Sequence, residues 1–446
     1  MSMLPENYQH AVVVGLGKTG LSAVRYLRGR GVAVSVTDSR AEPPGLAELR
    51  AFDASVPVRS GGFDPALLQQ AQLVVISPGV AARGEFFEAA RARRLPIVGD
   101  IELFAHAAAA PVAGITGTNG KSTVTTLLGR MAGRAGRQVR TGGNLGEPAL
   151  ALLDPAAQLY VLELSSYQLE STDSLQLAAA AVLNITPDHL DRYASTDEYA
   201  AAKARIFRHC DTAIVNADDA RVRAMVGAEQ RQLRFSLRPG AAVEFGVLEQ
   251  GGELYLARNG EALLAASELK IPGRHNLANA LAALALGEAL GLPSPALLAE
   301  LREFSGLAHR TQWVADVAGV HYIDDSKGTN VGATIAAVAG LPGPLLLIAG
   351  GDGKGQDFTP LRDALQAKVR YALLIGRDAH ALGHVLEGTC ALEYCASLEA
   401  AVLAAARVAR RGDTVLLSPA CASLDMFRDY AHRGAVFAAA VRRLSA

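Results

Sequence analysis

The densest chemistry in this 446-residue chain lies in one run, Gly114-Ile115-Thr116-Gly117-Thr118-Asn119-Gly120-Lys121-Ser122-Thr123. An apolar strand, a glycine-rich turn and a helix start, in that order, aim several backbone N–H groups at a phosphate chain. Lys121 adds positive charge, and Ser122 or Thr123 offers a hydroxyl to Mg²⁺ on the phosphates. The usual phosphate-loop spacing places glycine at 115, where Ile115 stands with Gly114 one place earlier, so the loop is a variant. A plain glycine turn would not need Lys121-Ser122-Thr123 in succession.

A second glycine-rich turn, Gly15-x-Gly17-x-x-Gly20, follows an apolar strand, with Asp38 near the acidic position of a dinucleotide fingerprint. Alone it fits a nicotinamide dehydrogenase or any other diphosphate ligand. The run at Lys121 asks instead for ATP chemistry, which a simple dehydrogenase does not require.

Glu163 ends an apolar strand, and His189 follows another in Asn184-Ile185-Thr186-Pro187-Asp188-His189. The C-terminal ends of parallel strands are where such sheets bind ligands, and both residues suit Mg²⁺ beside the phosphate loop. Lys327 and Lys354 sit in polar loops after strands, where an anion can approach. Lys203 lies in a helical run, Glu198 to Phe207, and in isolation is a solvated helix lysine. Only seven of the 43 basic side chains are lysine. A chain that uses arginine by default and keeps lysine at 121, 203, 327 and 354 points to sites that need a compact or deprotonatable amine.

These residues need strand ends and loops to carry them, and three blocks supply those. The first alternates strands at Ala11–Val14, Val32–Thr37 and Leu73–Ser77 with helices, and ends near Pro96 to Asp100. The second restarts at Pro111–Thr116, with buried strands at Leu159–Leu164 and Ala179–Ile185 and a core helix at Asn276–Leu290. The third, from about Leu307, has strands at Leu345–Ile348, Tyr371–Ile375 and Thr414–Ser418 between alanine-rich helices. The alternation predicts parallel sheets and an α/β class. Half the residues are hydrophobic and the formal net charge is −1, so no global field draws nucleic acid or an acidic membrane. No apolar run approaches the roughly 18 residues of a spanning helix. The polar stretch Met1 to His10 lacks the pattern of a signal peptide. Cys210, Cys390, Cys395 and Cys421 show no metal-ligand spacing and read as reduced thiols.

With Gly142-Gly143-Asn144-Leu145-Gly146, Glu163-Leu164-Ser165-Ser166-Tyr167-Gln168-Leu169, His275-Asn276, His309-Arg310, Asp325-Ser326-Lys327, Gly350–Lys354 and Ser418–Ser423 added, the whole chain resembles the Mur ligase family, specifically its D-glutamate-adding branch. The resemblance implies three α/β domains: a Rossmann-like UDP-binding domain (1–99), a central P-loop ATPase-like domain (100–306) and a C-terminal Rossmann-like amino-acid domain (307–446). It implies ATP-dependent joining of D-glutamate to UDP-N-acetylmuramoyl-L-alanine through an acyl phosphate. Gly15, Lys18, Thr19, Ser39, Arg40, Ser77, Gly79 and Asn144 would then bind the UDP substrate, displacing the nicotinamide reading. Gly117, Thr118, Asn119, Gly120, Lys121, Ser122, Thr123, Asn276, Asn279, Arg310 and Asp325 would bind ATP. Lys327, Thr329, Lys354, Ser423, Leu424 and Tyr430 would hold D-glutamate, with Tyr430 where the family often has phenylalanine. Lys121, His189 and Lys203 would be catalytic. Ser122, Glu163, His189 and Lys203, the last as a carbamate, would serve two Mg²⁺ sites. A cytoplasmic monomer acting on small molecules, with no nucleic-acid or membrane partner, is the accompanying expectation. The Asp-Asn-Pro-Arg motif of the tripeptide-forming branch is absent. A nicotinamide oxidoreductase and a nucleotide-hydrolysing switch are the rivals from other classes; the L-alanine-adding branch and folylpolyglutamate synthetase are nearer ones.

Overall fold

The computed structural model describes residues 7–444 except Pro272; residues 1–6 of the polar N-terminal stretch lie outside that range. Three sheets follow one another along the chain. The first has five parallel strands in the spatial order Val58–Ser60, Ala33–Asp38, His10–Val14, Leu73–Ile76, Ile97–Val98. Its central strand is buried on both faces: Ala11 and Val13 join one apolar cluster while Val12 and Val14 join another. That two-sided burial is why the strand reads as an unbroken apolar run. The helix Lys18–Arg28 leaves this strand through the first glycine turn. A Cβ on Gly20 would lie 1.9 Å from the carbonyl oxygen of Gly15, so only glycine permits this helix–strand approach.

The central sheet has nine strands, ordered Glu261–Ala265, Glu253–Arg258, Phe245–Gln250, Gln232–Phe235, Cys210–Asn216, Leu177–Val182, Val112–Thr116, Leu159–Glu163, Val139–Gly143. Seven of them, from Phe245–Gln250 to Val139–Gly143, run parallel, and the first three are joined by two antiparallel hairpins. Helices Lys121–Arg134 and Arg274–Ala289 pack together on one face. Lys203 sits on the short helix Thr196–Ala204, which Ser195 caps by accepting a hydrogen bond from Glu198 N.

The third sheet has six strands, ordered Gln312–Val317, Val320–Asp324, Thr414–Leu417, Leu345–Gly350, Val369–Ile375, Ala391–Tyr394, with only the first pair antiparallel. Again alternate residues of the central strand face different clusters, Leu345 and Leu347 on one side and Leu346 and Ile348 on the other. Among the described residues, no helix is long and apolar enough to cross a membrane.

Candidate active site

The glycine loop after Val112–Thr116 has the geometry its residues require. Gly117 and Gly120 adopt φ of 142° and 86°, and a Cβ on Gly120 would lie 2.4 Å from Asn279 Oδ1. The loop is fastened to the segment after Leu177–Val182: Thr118 N donates to Asn184 O (2.9 Å), and Asn119 N donates to Asn184 Oδ1 (2.9 Å). Lys121 donates from Nζ to the carbonyl oxygens of Gly117 (3.0 Å) and Thr118 (2.8 Å). Burial pushes its pKa down, opposed by Glu163 and Asp188.

Ser122 and Glu163 meet across the mouth of the loop. The Ser122 hydroxyl donates to Glu163 Oε2 (2.5 Å), Asn144 Nδ2 donates to Oε1 (2.7 Å), and Arg310 Nη2 donates to Ser122 Oγ (2.6 Å). Burial by itself would raise the Glu163 pKa, but Lys121, the Ser122 and Asn144 hydrogen bonds and Arg310 hold it below the ordinary value. A buried carboxylate kept ionised beside a hydroxyl is an oxygen-donor set fitted to Mg²⁺, which takes one or two protein oxygens and fills its shell from phosphate and water. Among the described residues, no group of three or more His, Cys, Asp or Glu side chains converges to hold a metal without such help.

His189 enters from the segment after Leu177–Val182 at φ 56°, a sparsely populated conformation for a residue with a Cβ. Its Nδ1 lies 2.7 Å from the Tyr167 hydroxyl. Burial lowers its pKa, Asp188 opposes this, and Lys354, Lys203 and Lys121 add to the lowering. Lys203 is fully buried, with Nζ 3.2 Å from Thr116 Oγ1 and 4.6 Å from the centre of the Tyr199 ring. Burial, then Lys121, push its pKa well below that of a free lysine. This is no solvated helix lysine.

The third sheet closes the cavity. Lys327, Thr329, Lys354, Ser423, Leu424 and Tyr430 line the same space of about 350 Å³ as Lys121, Ser122, Glu163, His189 and Lys203. Lys327 Nζ stands 3.8 Å over the Tyr430 ring, and burial, with Arg310 and Lys121, pushes its pKa down to about 8. Five of the eight described non-glycine residues with positive φ (His189, His309, Thr311, Lys354 and Ala420) lie in the loops at this junction. Backbone strain is therefore concentrated where the side chains converge.

Two further cavities adjoin. One of about 140 Å³ is lined by Asn119, Gly120, Thr123, Asn276, Asn279, Arg310 and Asp325. Asn279 Nδ2 donates to Asn276 Oδ1 (3.1 Å), and Asp325 accepts from Ser418 Oγ (2.8 Å) and Thr311 N (3.0 Å). Burial raises Asp325 to about 7. The other cavity, about 500 Å³, is lined by Gly15, Lys18, Thr19, Ser39, Arg40, Ser77, Gly79 and Asn144. Besides Asn144 on Glu163 and Arg40 on Asp38, two of these side chains are engaged within the protein: Ser77 Oγ donates to Gly15 O (2.8 Å), and Lys18 Nζ to Gly146 O (2.9 Å) and Glu147 Oε1 (3.2 Å).

Asp38, beside the first glycine turn, is bonded within the protein. Its oxygens accept from Leu16 N (2.7 Å), Arg40 N (2.9 Å), Arg40 Nε (2.9 Å) and Arg40 Nη2 (2.6 Å). Burial opposes ionisation, yet these bonds lower its pKa to about 2. The carboxylate fixes Arg40 at the cavity wall.

Sequence reasoning did not single out Tyr167, Thr116, Asp188, Tyr199 or Asn330. Thr116, Tyr167 and Asp188 lay inside motifs already noted, but their partners are distant in the chain, and only the fold supplies them.

Three family models match the chain: Mur ligase MurD-like, N-terminal domain over residues 9–99, Mur ligase middle domain over 115–287, and Mur ligase, glutamate ligase domain over 309–421. A UDP-N-acetylmuramoylalanine--D-glutamate ligase of Nitrosococcus oceani is 54% identical over 443 residues, covering 99% of this chain and 98% of the relative. One from Pseudomonas aeruginosa is 49% identical over 449 residues, covering all of both chains. Among solved structures, the UDP-N-acetylmuramate-alanine ligase MurC from Thermotoga maritima superposes with TM-score 0.63 at 20% identity, covering 98% of this chain and 99% of that one. E. coli FolC superposes with TM-score 0.59 at 20% identity, covering 78% and 93%. These two establish the shared fold. With three family models in order along the chain and full-length relatives near half identity, the chain belongs to the Mur ligase family.

Proposed function

We propose that this enzyme joins D-glutamate to UDP-N-acetylmuramoyl-L-alanine at the expense of ATP, a step in making peptidoglycan precursors. The observation that carries this reading is the continuity of the three cavities. Asn144 lines both the cavity at Arg40 and the central one, and Arg310 lines both the central one and that at Asn276. A long diphosphate substrate and a nucleoside triphosphate entering from opposite ends would meet beside Ser122 and Glu163.

In this assignment residues 1–99 bind the UDP substrate, 100–306 bind ATP and 307–446 present the amino acid. Ser39 and Arg40 contact the uracil nucleotide; Ser77, Gly79 and Asn144 face its diphosphate and sugar. Asn276, Asn279, Arg310 and Asp325 contact the ATP nucleotide, and Lys121 with the loop amides binds its phosphates. Lys327, Thr329, Lys354 and Ser423 bind D-glutamate, the two lysines matching its two carboxylates. The cytoplasmic, monomeric state belongs to the same reading, and the free thiols of Cys210, Cys390, Cys395 and Cys421 suit a reducing compartment.

An oxygen of the alanyl carboxylate attacks the γ-phosphorus of ATP, the bond to the β-bridging oxygen breaks, and ADP leaves an acyl phosphate. Lys121 and the loop amides hold the transferring group in line, because positioning and charge stabilisation dominate phosphoryl transfer. The amine of D-glutamate then adds to the acyl carbon; the tetrahedral adduct expels phosphate and, with loss of one amine proton, leaves the amide. Ser122, Glu163 and His189 would hold Mg²⁺, which when bound offsets phosphate charge. Lys203 deprotonates readily where it is buried; its neutral amine adding to CO₂ gives a carbamate and one proton, an anion for a second Mg²⁺.

The test is ADP release with ATP, Mg²⁺ and UDP-N-acetylmuramoyl-L-alanine, against D-glutamate, L-glutamate and L-alanine in turn. Release that requires D-glutamate, with a product heavier by one glutamyl unit, is expected. Release indifferent to the amino acid would instead support a nucleotide-hydrolysing switch.

A further inference from the structure

One buried amide lies where the third sheet's elements meet the phosphate loop, and the reaction scheme above leaves it unused. Asn330 caps the helix Val331–Gly340, its Oδ1 accepting from Ala333 N (2.8 Å). It is 3% exposed, so each of its polar groups needs a partner inside the protein. Its Nδ2 has two hydrogens and two acceptors: Asn119 Oδ1 (3.2 Å) in the phosphate loop and Asp188 Oδ2 (3.2 Å) beside His189. Asn119 Nδ2 returns a bond to Asn330 Oδ1 (3.4 Å). The helix start it caps is seated closely on the same segment, since a Cβ on Gly332 would come within 2.9 Å of Thr186 Oγ1.

We infer that Asn330 is a positioning residue which registers the amino-acid-binding loops against the phosphate loop and the His189 segment. The inference rests on the functional reading above and adds to it the element that brings the halves of the site together. Three features distinguish Asn330 from an ordinary cap. A cap needs only the side-chain oxygen, whereas here both amide hydrogens leave the helix for two different segments of the central unit. Those two segments are already joined to each other through Asn184, whose Oδ1 accepts from Asn119 N (2.9 Å) and whose Nδ2 donates to Asn119 O (3.0 Å). And Asn330 shares the cavity wall with Lys327 and Thr329, so a shift of this helix start shifts them directly.

Serine and aspartate also cap helices, so Asn330→Ser and Asn330→Asp keep the cap while removing the amide donors. Small-angle scattering with ADP, Mg²⁺ and UDP-N-acetylmuramoyl-L-alanine would report whether the third unit stays docked. For Asn330→Ser we expect a larger radius of gyration than the parent under the same conditions. An apparent KM for D-glutamate raised about tenfold or more is expected alongside, with affinity for the UDP substrate, whose nucleotide end lies in the cavity at Arg40 that Asn330 does not line, unchanged by calorimetry. Asn330→Asp should do the same more strongly, because it sets a second carboxylate against Asp188. A folded serine variant that scatters and turns over like the parent overturns the inference. So does failure of both variants to fold, which would make Asn330 structural only. A parent that is compact yet releases no ADP with D-glutamate would sink the functional reading and leave the docking role to be judged by scattering alone.

Discussion

The phenol of Tyr167 and the imidazole of His189 are 2.7 Å apart, oxygen to Nδ1, although 22 residues separate them in the chain. Burial raises the Tyr167 pKa to about 12, so the phenol stays protonated at neutral pH. In the tautomer that carries its proton on Nδ1 and donates it to the Tyr167 oxygen, His189 presents the Nε2 lone pair to the cavity. Tyr167→Phe should therefore raise the Mg²⁺ concentration needed for half-maximal rate by about tenfold while leaving the melting temperature nearly unchanged. Titrating Mg²⁺ in the ADP-release assay checks this; an unchanged Mg²⁺ requirement would separate Tyr167 from His189's role.

Lys121 is the cation of the phosphate loop and stands half-buried near the Glu163 and Asp188 carboxylates. Lys121→Ala is expected to cut ADP release by about a hundredfold or more without changing the affinity for the UDP substrate. Normal turnover in that variant would remove the loop from the scheme.

In the proposed carbamate role an arginine could not replace Lys203, since only an amine that gives up its proton adds to CO₂. Lys203→Ala should lose nearly all activity and recover part of it on adding short-chain carboxylic acids, which supply the missing anion. Lys203→Arg should be inactive and not recover. Absence of rescue in the alanine variant would leave the carbamate without support.

Asp100 gives a stability prediction away from the chemistry. It is fully buried at the start of the helix Asp100–Ala107, accepts one bond from Gln168 Nε2 (3.2 Å) and has Oδ1 without a partner, and burial raises its pKa to about 6. The folded pKa lies above the unfolded value of 3.8. The native state therefore binds the extra proton, and its stability falls as pH rises from about 4 to above 6. The loss from this group is on the order of 3 kcal/mol. Asp100→Asn cannot ionise and should lack that part of the slope in urea unfolding followed from pH 4 to 7; parallel profiles would contradict the assignment.

Much of the architecture was legible because parallel strands buried on both faces are written as short apolar runs. Leu345–Gly350, Val112–Thr116 and Leu159–Glu163 all lie within a residue or two of where the apolar pattern put them. The four strands between Gln232 and Ala265 were not anticipated. They are short and partly exposed, three are joined as hairpins at one edge of the sheet, and their side chains follow no clean alternation. The same divide runs through the site. Lys121, Glu163 and His189 advertise themselves by standing at strand ends in polar motifs. Asn330 and Tyr167 do not, because an asparagine in a turn and a tyrosine in a short helix are unremarkable until the fold supplies Asn119, Asp188 and His189 as neighbours.

The seam held by Arg310 on Ser122 and by Asn330 on Asn119 and Asp188 also sets a bound on speed. In the proposed reaction an acyl phosphate is safe only while water is kept from it, and the third sheet's loops, which line the central cavity, would provide that cover. Yet ADP, phosphate and the lengthened product must leave past the same loops. Strengthening the seam would protect the intermediate and slow its own emptying, while weakening it would speed exit and waste ATP to hydrolysis. A handful of hydrogen bonds, one between neutral amides and two with a single charged partner, places the seam between those two failures.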